Sequence, residues 1–300
     1  MKDLRSLLKK AARFRERNDD IRGRRGLRLW QRLARRHLEN ELRAAWEPTY
    51  VRRRTGEYML LPAPLDARGL AVLLDTPRLD DAIAAFVRPG DTVLDIGANI
   101  GEWTLPLARQ VGPQGRVIAF EPNPALAEAL RLSVAVNRLA QVAVEEVALT
   151  RTPGQRDLSI PTAQGGRMAD SGRARLDGNE RDAVMVSVRA DALDAVASRL
   201  NLGRIDFIKI DVEGHEAPVI EGGLELIRRD RPVQIIETGL EDDATRRRLR
   251  DMLGGASYEL LGTLHDHGII AADWDDYLSG EPPLARGEIN NIVLMPLHRR

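Results

Sequence analysis

Val93-Leu94-Asp95-Ile96-Gly97-Ala98-Asn99-Ile100-Gly101 is an apolar run that ends in a turn bounded by two glycines, with a helical pattern at 102–110 behind it. Gly97 opens φ values closed to residues that carry a Cβ, and Gly101 lets the new helix approach the end of the strand. The first turn of that helix leaves backbone N–H groups unpaired at the same edge, so a ligand can lie against bare backbone there. A pyrophosphate binder prefers Gly-x-Gly-x-x-Gly. Here the spacing is Gly-x-Asn-x-Gly, one residue shorter, with Asp95 just before the turn. An acid at that point suits a cationic sulfonium cofactor with an amino-acid tail better than a pyrophosphate dianion. A dinucleotide enzyme and a methyltransferase are the two readings, and the acid favours the second.

Twenty residues after Gly101, the run Val117-Ile118-Ala119-Phe120 ends in Glu121-Pro122-Asn123. A carboxylate at this strand end can accept hydrogen bonds from both hydroxyls of a ribose. It can also simply charge the start of the helix that opens at Pro124. The two features together point to an adenosine-type cofactor.

Outward from this pair, short apolar runs alternate with longer helical stretches, the signature of a parallel α/β sheet. Strands are expected at 92–96, 116–120, 142–147, 205–211 and 233–237, with weaker ones at 258–264 and 291–295. Helices fit at 102–110, 124–137, 216–228 and 242–253. The stretch 151–182 is rich in Gly, Arg and Asp and reads as a long loop, which in a compact domain is usually a lid or binding loop. His265-Asp266-His267 reads as a turn rather than a metal site.

The chain has 300 residues, 43% of them hydrophobic and 30% charged, which is the composition of a globular protein. No stretch free of Lys, Arg, Asp and Glu exceeds ten residues, against the roughly 20 apolar residues a spanning helix needs. There are no cysteines, so disulfides, thiolate zinc sites, iron–sulfur clusters and Cys nucleophiles are excluded. With no apolar leader at the N-terminus, a cytoplasmic location is expected. The net charge of zero hides a split: residues 1–55 carry 18 Lys and Arg against 7 Asp and Glu, and the remainder carries 27 against 38. Three segments are expected: a basic, partly helical extension at 1–55, a connector at 56–88 and the body at 89–297. Within the extension, Gly23 and Gly26 break any helix in the first 26 residues. Leu27, Trp30, Leu33, Leu38, Leu42 and Trp46 predict an amphipathic helix over 27–46, docked on the body.

At this point the sequence resembles the FkbM family of S-adenosylmethionine-dependent methyltransferases. The resemblance runs from about Pro89 to Pro296. Its carriers are Asp95–Gly101, Ala119–Asn123, Asn137, Val147-Ala148-Leu149 and, above all, Phe207-Ile208-Lys209-Ile210-Asp211-Val212-Glu213-Gly214-His215-Glu216. It implies an α/β, Rossmann-like class I methyltransferase fold: a mostly parallel seven-stranded sheet with a reversed last strand and helices on both faces. It also implies S-adenosylmethionine as cofactor and methyl transfer to a hydroxyl oxygen of a sugar, glycan or secondary metabolite. By position, Asp95, Gly97, Ala98, Asn99 and Gly101 would cradle the methionine part of the cofactor. Glu121, with Pro122 and Asn123, would hold the ribose, and Val147 and Ala148 would fall near the adenine. His215 departs from the family, which often has a small residue there, so a His-based mechanism does not carry over.

In the fourth strand, side chains alternate faces, so Lys209, Asp211 and Glu213 share one face while the chain stays extended. His215 would join them only if Gly214 did not turn the chain. A buried parallel strand should be apolar on both faces, and these ionisable groups instead meet the crevice where such sheets bind ligands. A hydroxyl needs a general base, which contributes typically ~10²–10⁴-fold. His215 is suited by its ordinary pKa of roughly 6.5, and Asp211 or Glu213 would serve if burial raised theirs. Lys209 and Asp211 also read as a structural ion pair, and Glu213 and Glu216 as charges at a helix start. Asp211, Glu213 and His215 could offer hard ligands to a metal, but no metal is expected. Glu237, ending the fifth strand, points to the same crevice.

The expected partner is a small-molecule or glycan acceptor, which Arg167, Arg173 and Arg175 in the 151–182 stretch could grip through acidic groups. A membrane or other anionic surface is a further partner open to the basic arm. Two other classes stay open: a nucleic-acid methyltransferase using that arm, which lacks interleaved aromatics, and a non-catalytic cofactor-binding protein.

Overall fold

The computed structural model of the protein describes residues 3–18, 29–74, 79–162, 171–178, 182–265, 268–285 and 290–297. Two helices, α1 (Leu4–Asn18) and α2 (Leu29–Ala44), lead into a hairpin of β1 (Thr49–Arg52) and β2 (Tyr58–Leu61), then α3 (Ala67–Leu74) and α4 (Leu79–Phe86). The glycine-turn stretch follows as β3 (Thr92–Ile96) and α5 (Thr104–Val111), and the next unit is β4 (Arg116–Phe120) with α6 (Pro124–Val136). After β5 (Val142–Glu145) come β6 (Ala148–Leu149), β7 (Gly154–Pro161), β8 (Arg175–Leu176) and β9 (Ala183–Asp191). The chain continues through α7 (Leu193–Arg199), β10 (Phe207–Ile210), α8 (Glu216–Gly222), α9 (Leu224–Asp230), β11 (Val233–Thr238) and α10 (Asp243–Gly255). It ends with β12 (Tyr258–His265), β13 (Gly268–Ala271), α11 (Trp274–Ser279) and β14 (Asn290–Pro296).

The main sheet has the order β13-β12-β14-β11-β10-β3-β4-β5. Strands β5, β4, β3, β10 and β11 run parallel, and β14 inserts antiparallel beside β11. The mostly parallel α/β sheet with a reversed last strand is therefore present. Its count is eight rather than seven, because β13 pairs antiparallel on the outer edge of β12. His265 ends β12, and Asp266 and His267 lie outside the described residues. One face of the sheet buries Leu94, Ile96, Ile208, Ile210 and Ile236, and the other buries Val93, Val117, Phe207 and Ile235 against Trp103 and Leu107. Each such side chain contributes about 1.5–3 kcal/mol, and the double burial explains why these strands read as continuous apolar runs.

Three expectations are corrected. The described residues of 151–182 are not one long loop: β7 and β8 join β6 and β9 in a separate four-stranded sheet over Leu158, Val188, Ala148 and Ala190. The first 26 residues do contain a helix, since Leu7 and Ala11 of α1 are buried; Gly23 and Gly26 lie outside the described residues. The helix expected at 216–228 is two, α8 and α9, broken at Gly222-Gly223. A Cβ on Gly222 would lie 2.1 Å from the carbonyl oxygen of Thr150, so β6 and α8 approach too closely for any side chain there.

The segments 1–55 and 56–88 fold together. Leu7, Leu38, Leu42, Met59, Leu61 and Leu70 form one core that closes on Ile100, Leu105 and Leu126. Helix α2 docks through Leu38 and Leu42, with Trp46 just beyond it, while Leu33 stays exposed. The described residues of the connector form β2, α3 and α4, and Leu61, Leu70 and Leu73 pack with Ile100 of the glycine turn.

Candidate active site

Gly97, at φ +83°, packs against the end of β10. Next to it Asn99 is left-handed at φ +50° and turns its amide oxygen to accept from the N–H of Ile100. The backbone N–H of Asn99 donates to Glu121 Oε2 at 2.7 Å, and that of Asn123 donates to Glu121 Oε1 at 2.8 Å. The carboxyl of Glu121 is only 6% exposed. Burial pushes its pKa up to about 7 although both hydrogen bonds favour the charged form.

Around Glu121 opens a cleft of about 560 Å³, part of it continuous with solvent, a size that suits a cofactor. Gly97, Asn99, Glu121 and Pro122 line one side; Phe120, Val147, Ala148, Leu149 and Leu158 give it an apolar wall. Gly172, Ala174 and Leu176 cover it from the small sheet. Six of the cofactor residues named from the sequence thus meet in one space: Gly97, Asn99, Glu121, Pro122, Val147 and Ala148. The other four stand behind the lining. Asp95 is buried beside Lys209 on the next strand and accepts from Thr104 Oγ1 at 2.5 Å, with its pKa pushed by burial to about 6. Ala98 packs on Ala119 and Leu130, a Cβ on Gly101 would meet Leu130, and Asn123 caps α6 by accepting from the N–H of Ala125.

At the far wall, β10 ends in charged groups. Lys209 is 0% exposed; its Nζ donates to the Ile210 carbonyl at 3.0 Å and to Asp211 Oδ2 at 3.3 Å, and lies 5.5 Å from the Trp103 ring centroid. Burial alone would raise Asp211, but Lys209 and the Arg68 guanidinium outweigh it and hold this carboxyl below the usual range. Glu237, from the end of β11, is pushed the opposite way by burial and by the Asp211 charge. Of the two carboxyls, Glu237 is therefore the one that favours its neutral form. Glu213 sits at φ +53° and Gly214 at φ +95°, a left-handed pair that ends the strand's alternation. Burial and the Asp211 charge lift Glu213 to about 7, against the pull of Arg173 and Arg175. Ligand oxygens of Asp211, Glu213 and Glu237 lie within 4.8 Å of one another, a spacing that would suit one divalent cation. Glu237 thus takes the place expected for His215 in such a group.

His215 lines the cleft elsewhere. Its Nε2 pairs with Thr150 Oγ1 at 2.9 Å, burial lowers its pKa, and the charges it senses are Asp177 and Arg156. Glu216 is structural: its Oε1 accepts from the N–H groups of Val212 and Gly214 at 3.3 and 3.1 Å and fixes the turn between them.

Sequence reasoning missed Arg68 and Thr150, because each enters from a distant segment. Arg68 on α3 is paired with Glu102 and reaches the Asp211 charge. Of the lid arginines, Arg173 and Arg175 act on Glu213, and Arg167 lies outside the described residues. Among the described residues no helix is long and apolar enough to cross a membrane.

Residues 95–267 match the family model described as the Methyltransferase FkbM domain. The 2-O-methyltransferase NoeI of Sinorhizobium fredii is 29% identical over 164 residues, 50% of this chain and 64% of that protein. The methyltransferase sdnD of Sordaria araneosa is 29% identical over 43% of this chain and 59% of its own length. The 31-O-demethyl-FK506 methyltransferase FkbM of Streptomyces tacrolimicus is 27% identical over 65% of this chain and 78% of its own. The chain thus spans about three fifths of the length of the first two. Among solved structures, Methyltransferase FkbM from Methylobacillus flagellatus is 14% identical, with 75% of this chain and 52% of that one covered and a TM-score of 0.44, a likeness too slight to carry an argument. With more than half of its residues matched by the family model, the chain belongs to the FkbM methyltransferase family.

Proposed function

We propose that this protein is an S-adenosylmethionine-dependent O-methyltransferase acting on a hydroxyl of a sugar, glycan or secondary metabolite. The observation that carries the reading is Glu213: a carboxyl with its pKa near 7, on the wall of the same cleft as Glu121. Oxygen as the accepting atom is supported by two relatives, a 2-O-methyltransferase and a 31-O-demethyl-FK506 methyltransferase.

The donor set fits the cofactor. Each oxygen of Glu121 accepts one backbone N–H and keeps a lone pair for a ribose hydroxyl. The apolar wall from Phe120 to Leu158 suits a flat base, and the anionic end of β10 beside Gly97 suits a cationic sulfur. When bound, S-adenosylmethionine supplies an electrophilic methyl group. The protein's own residues do the rest. Asp211 accepts a hydrogen bond from the acceptor, while Glu237, in its neutral form, limits charge repulsion. Glu213 takes the proton from the acceptor hydroxyl and ends as the neutral acid. A base with pKa near the working pH combines a useful ionised fraction with driving force. Positioning both partners supplies much of the remaining acceleration.

The test is calorimetric titration of S-adenosylmethionine into wild type and Glu121→Ala, followed by turnover on a library of hydroxylated sugars and natural products. Binding weakened at least tenfold in Glu121→Ala, with the product methylated on oxygen, supports the reading. No binding by wild type, or a product methylated on nitrogen or carbon, overturns it.

A further inference from the structure

A second cavity lies across α3 from the carboxylates, between α1, the β1–β2 hairpin and α3. It measures about 810 Å³, part of it open to solvent, and is larger than the cofactor cleft. Its floor is apolar, built from Leu8, Ala11, Val51, Val72 and Leu73. Four arginines line it: Arg15 from α1 and Arg52, Arg53 and Arg54 from the hairpin, with Arg52 and Arg54 exposed at its rim. The acid on its wall is Glu102, whose carboxylate is already paired with Arg68. Arg53 is held in place by donating from Nη1 to the Glu102 carbonyl at 3.1 Å. Among the described residues that line it, four arginines face one acid, which is already paired, so the cavity draws an anion.

The cavity is joined to the carboxylate cluster through two residues. Val72 on its floor and Arg68 beside Asp211 stand four positions apart on α3, about 6 Å along the axis and on one face. Glu102 faces the cavity and is the ion-pair partner of that same Arg68.

We propose that this cavity binds the methyl acceptor, and that the acceptor carries a phosphate or carboxylate next to an apolar body. The proposal rests on reading the carboxylate cluster as the site of methyl transfer and adds the class of molecule delivered to it. Guanidinium groups pair in bidentate fashion with either anion, and the floor buries the apolar part. A neutral sugar uses neither feature.

The probe is dodecyl phosphate, titrated into the full chain below its micelle concentration, with inorganic phosphate and dodecyl maltoside as controls. Dodecyl phosphate is expected to saturate one site at least tenfold more tightly than either control. Arg52→Glu/Arg54→Glu, at the exposed rim, and Val72→Trp, which fills the floor, each weaken it at least tenfold and leave S-adenosylmethionine affinity unchanged. Phosphatidylglycerol vesicles separate a soluble anion from a membrane surface. The proposal is overturned if charged and neutral amphiphiles bind alike, if neither variant weakens binding, or if vesicles bind while monomeric dodecyl phosphate does not. Because cofactor binding is measured separately, its loss in wild type would sink the methyl-transfer reading without touching the result for this cavity.

Discussion

A Cβ on Gly97 would lie 1.8 Å from the carbonyl oxygen of Asp211, so the turn after β3 and the end of β10 are fitted together with no room for a methyl group. Gly90 offers the control: it too has positive φ, at +92°, but nothing lies within 4 Å of its missing Cβ. Gly90→Ala carries only the left-handed backbone cost, about 1–2 kcal/mol. Gly97→Ala adds a steric overlap of about 1–3 kcal/mol or more, and it displaces the strand end that bears Asp211. Denaturant unfolding of the two variants checks this; equal losses would show that the approach at Gly97 is not what excludes a side chain.

Glu216 makes stability pH-dependent. Burial lifts it from 4.5 to about 7 against two backbone hydrogen bonds and one from its own N–H, and it is 4% exposed. A carboxyl raised in the folded state keeps its proton where the unfolded chain has lost it, so its stabilising contribution is complete below pH 4.5 and lost as pH rises to 7. The loss expected for this group is about 3 kcal/mol. Glu216→Gln keeps an oxygen for Val212 and Gly214 and removes the titration. Unfolding midpoints at pH 5, 6, 7 and 8 should therefore run flatter in the variant; parallel curves would refute the assignment.

The strands at 92–96 and 116–120 were legible to the residue, because burial on both faces leaves a continuous apolar run with polar ends. What went unread was set by contacts between distant segments. The break between α8 and α9 falls at Gly222-Gly223, a pair visible in the sequence, where Thr150 and Leu193 approach too closely for a side chain. In α1 the burial of Leu7 and Ala11 depends on α2 and α3, and dense charge hides their spacing. β7 carries Gln155, Arg156 and Asp157 because only one face of the small sheet is covered, so it resembles a loop. In the site, the strand-end rule finds Glu121, Asp211 and Glu237. His215 stands apart from them, because the chain does turn at Gly214, in the left-handed pair Glu213-Gly214 that ends the alternation.

Glu213 is the group whose removal should touch chemistry and not cofactor affinity. With its carboxyl at about 7, wild-type turnover rises with pH through that value and levels off above it, since the base must be ionised. Glu213→Gln is expected to lower kcat by ~10²–10⁴, remove the rise and leave S-adenosylmethionine affinity within threefold. His215→Ala keeps the rise and changes kcat less than tenfold, because its Nε2 is engaged by Thr150. Rate profiles on one acceptor decide between them; a rise lost in His215→Ala and kept in Glu213→Gln would move the base to the histidine.

Arg68 links stability to the titration of Asp211, and the two effects can be separated. Arg68→Ala leaves the buried Glu102 carboxylate without its partner, expected to cost about 1–3 kcal/mol for the unpaired group. It also withdraws one of the two cations that hold Asp211 down, so Asp211 must titrate at higher pH. The double variant Arg68→Ala/Glu102→Gln removes the stranded charge and should regain most of the stability. It does nothing for Asp211, because the guanidinium is still missing. Carbon-13 NMR of labelled aspartate carboxyls, with Asp211 assigned through Asp211→Asn, follows the second quantity while unfolding follows the first. If the double variant restored both, Arg68 would serve Glu102 alone, and the α3 helix would have no electrical hold on the end of β10.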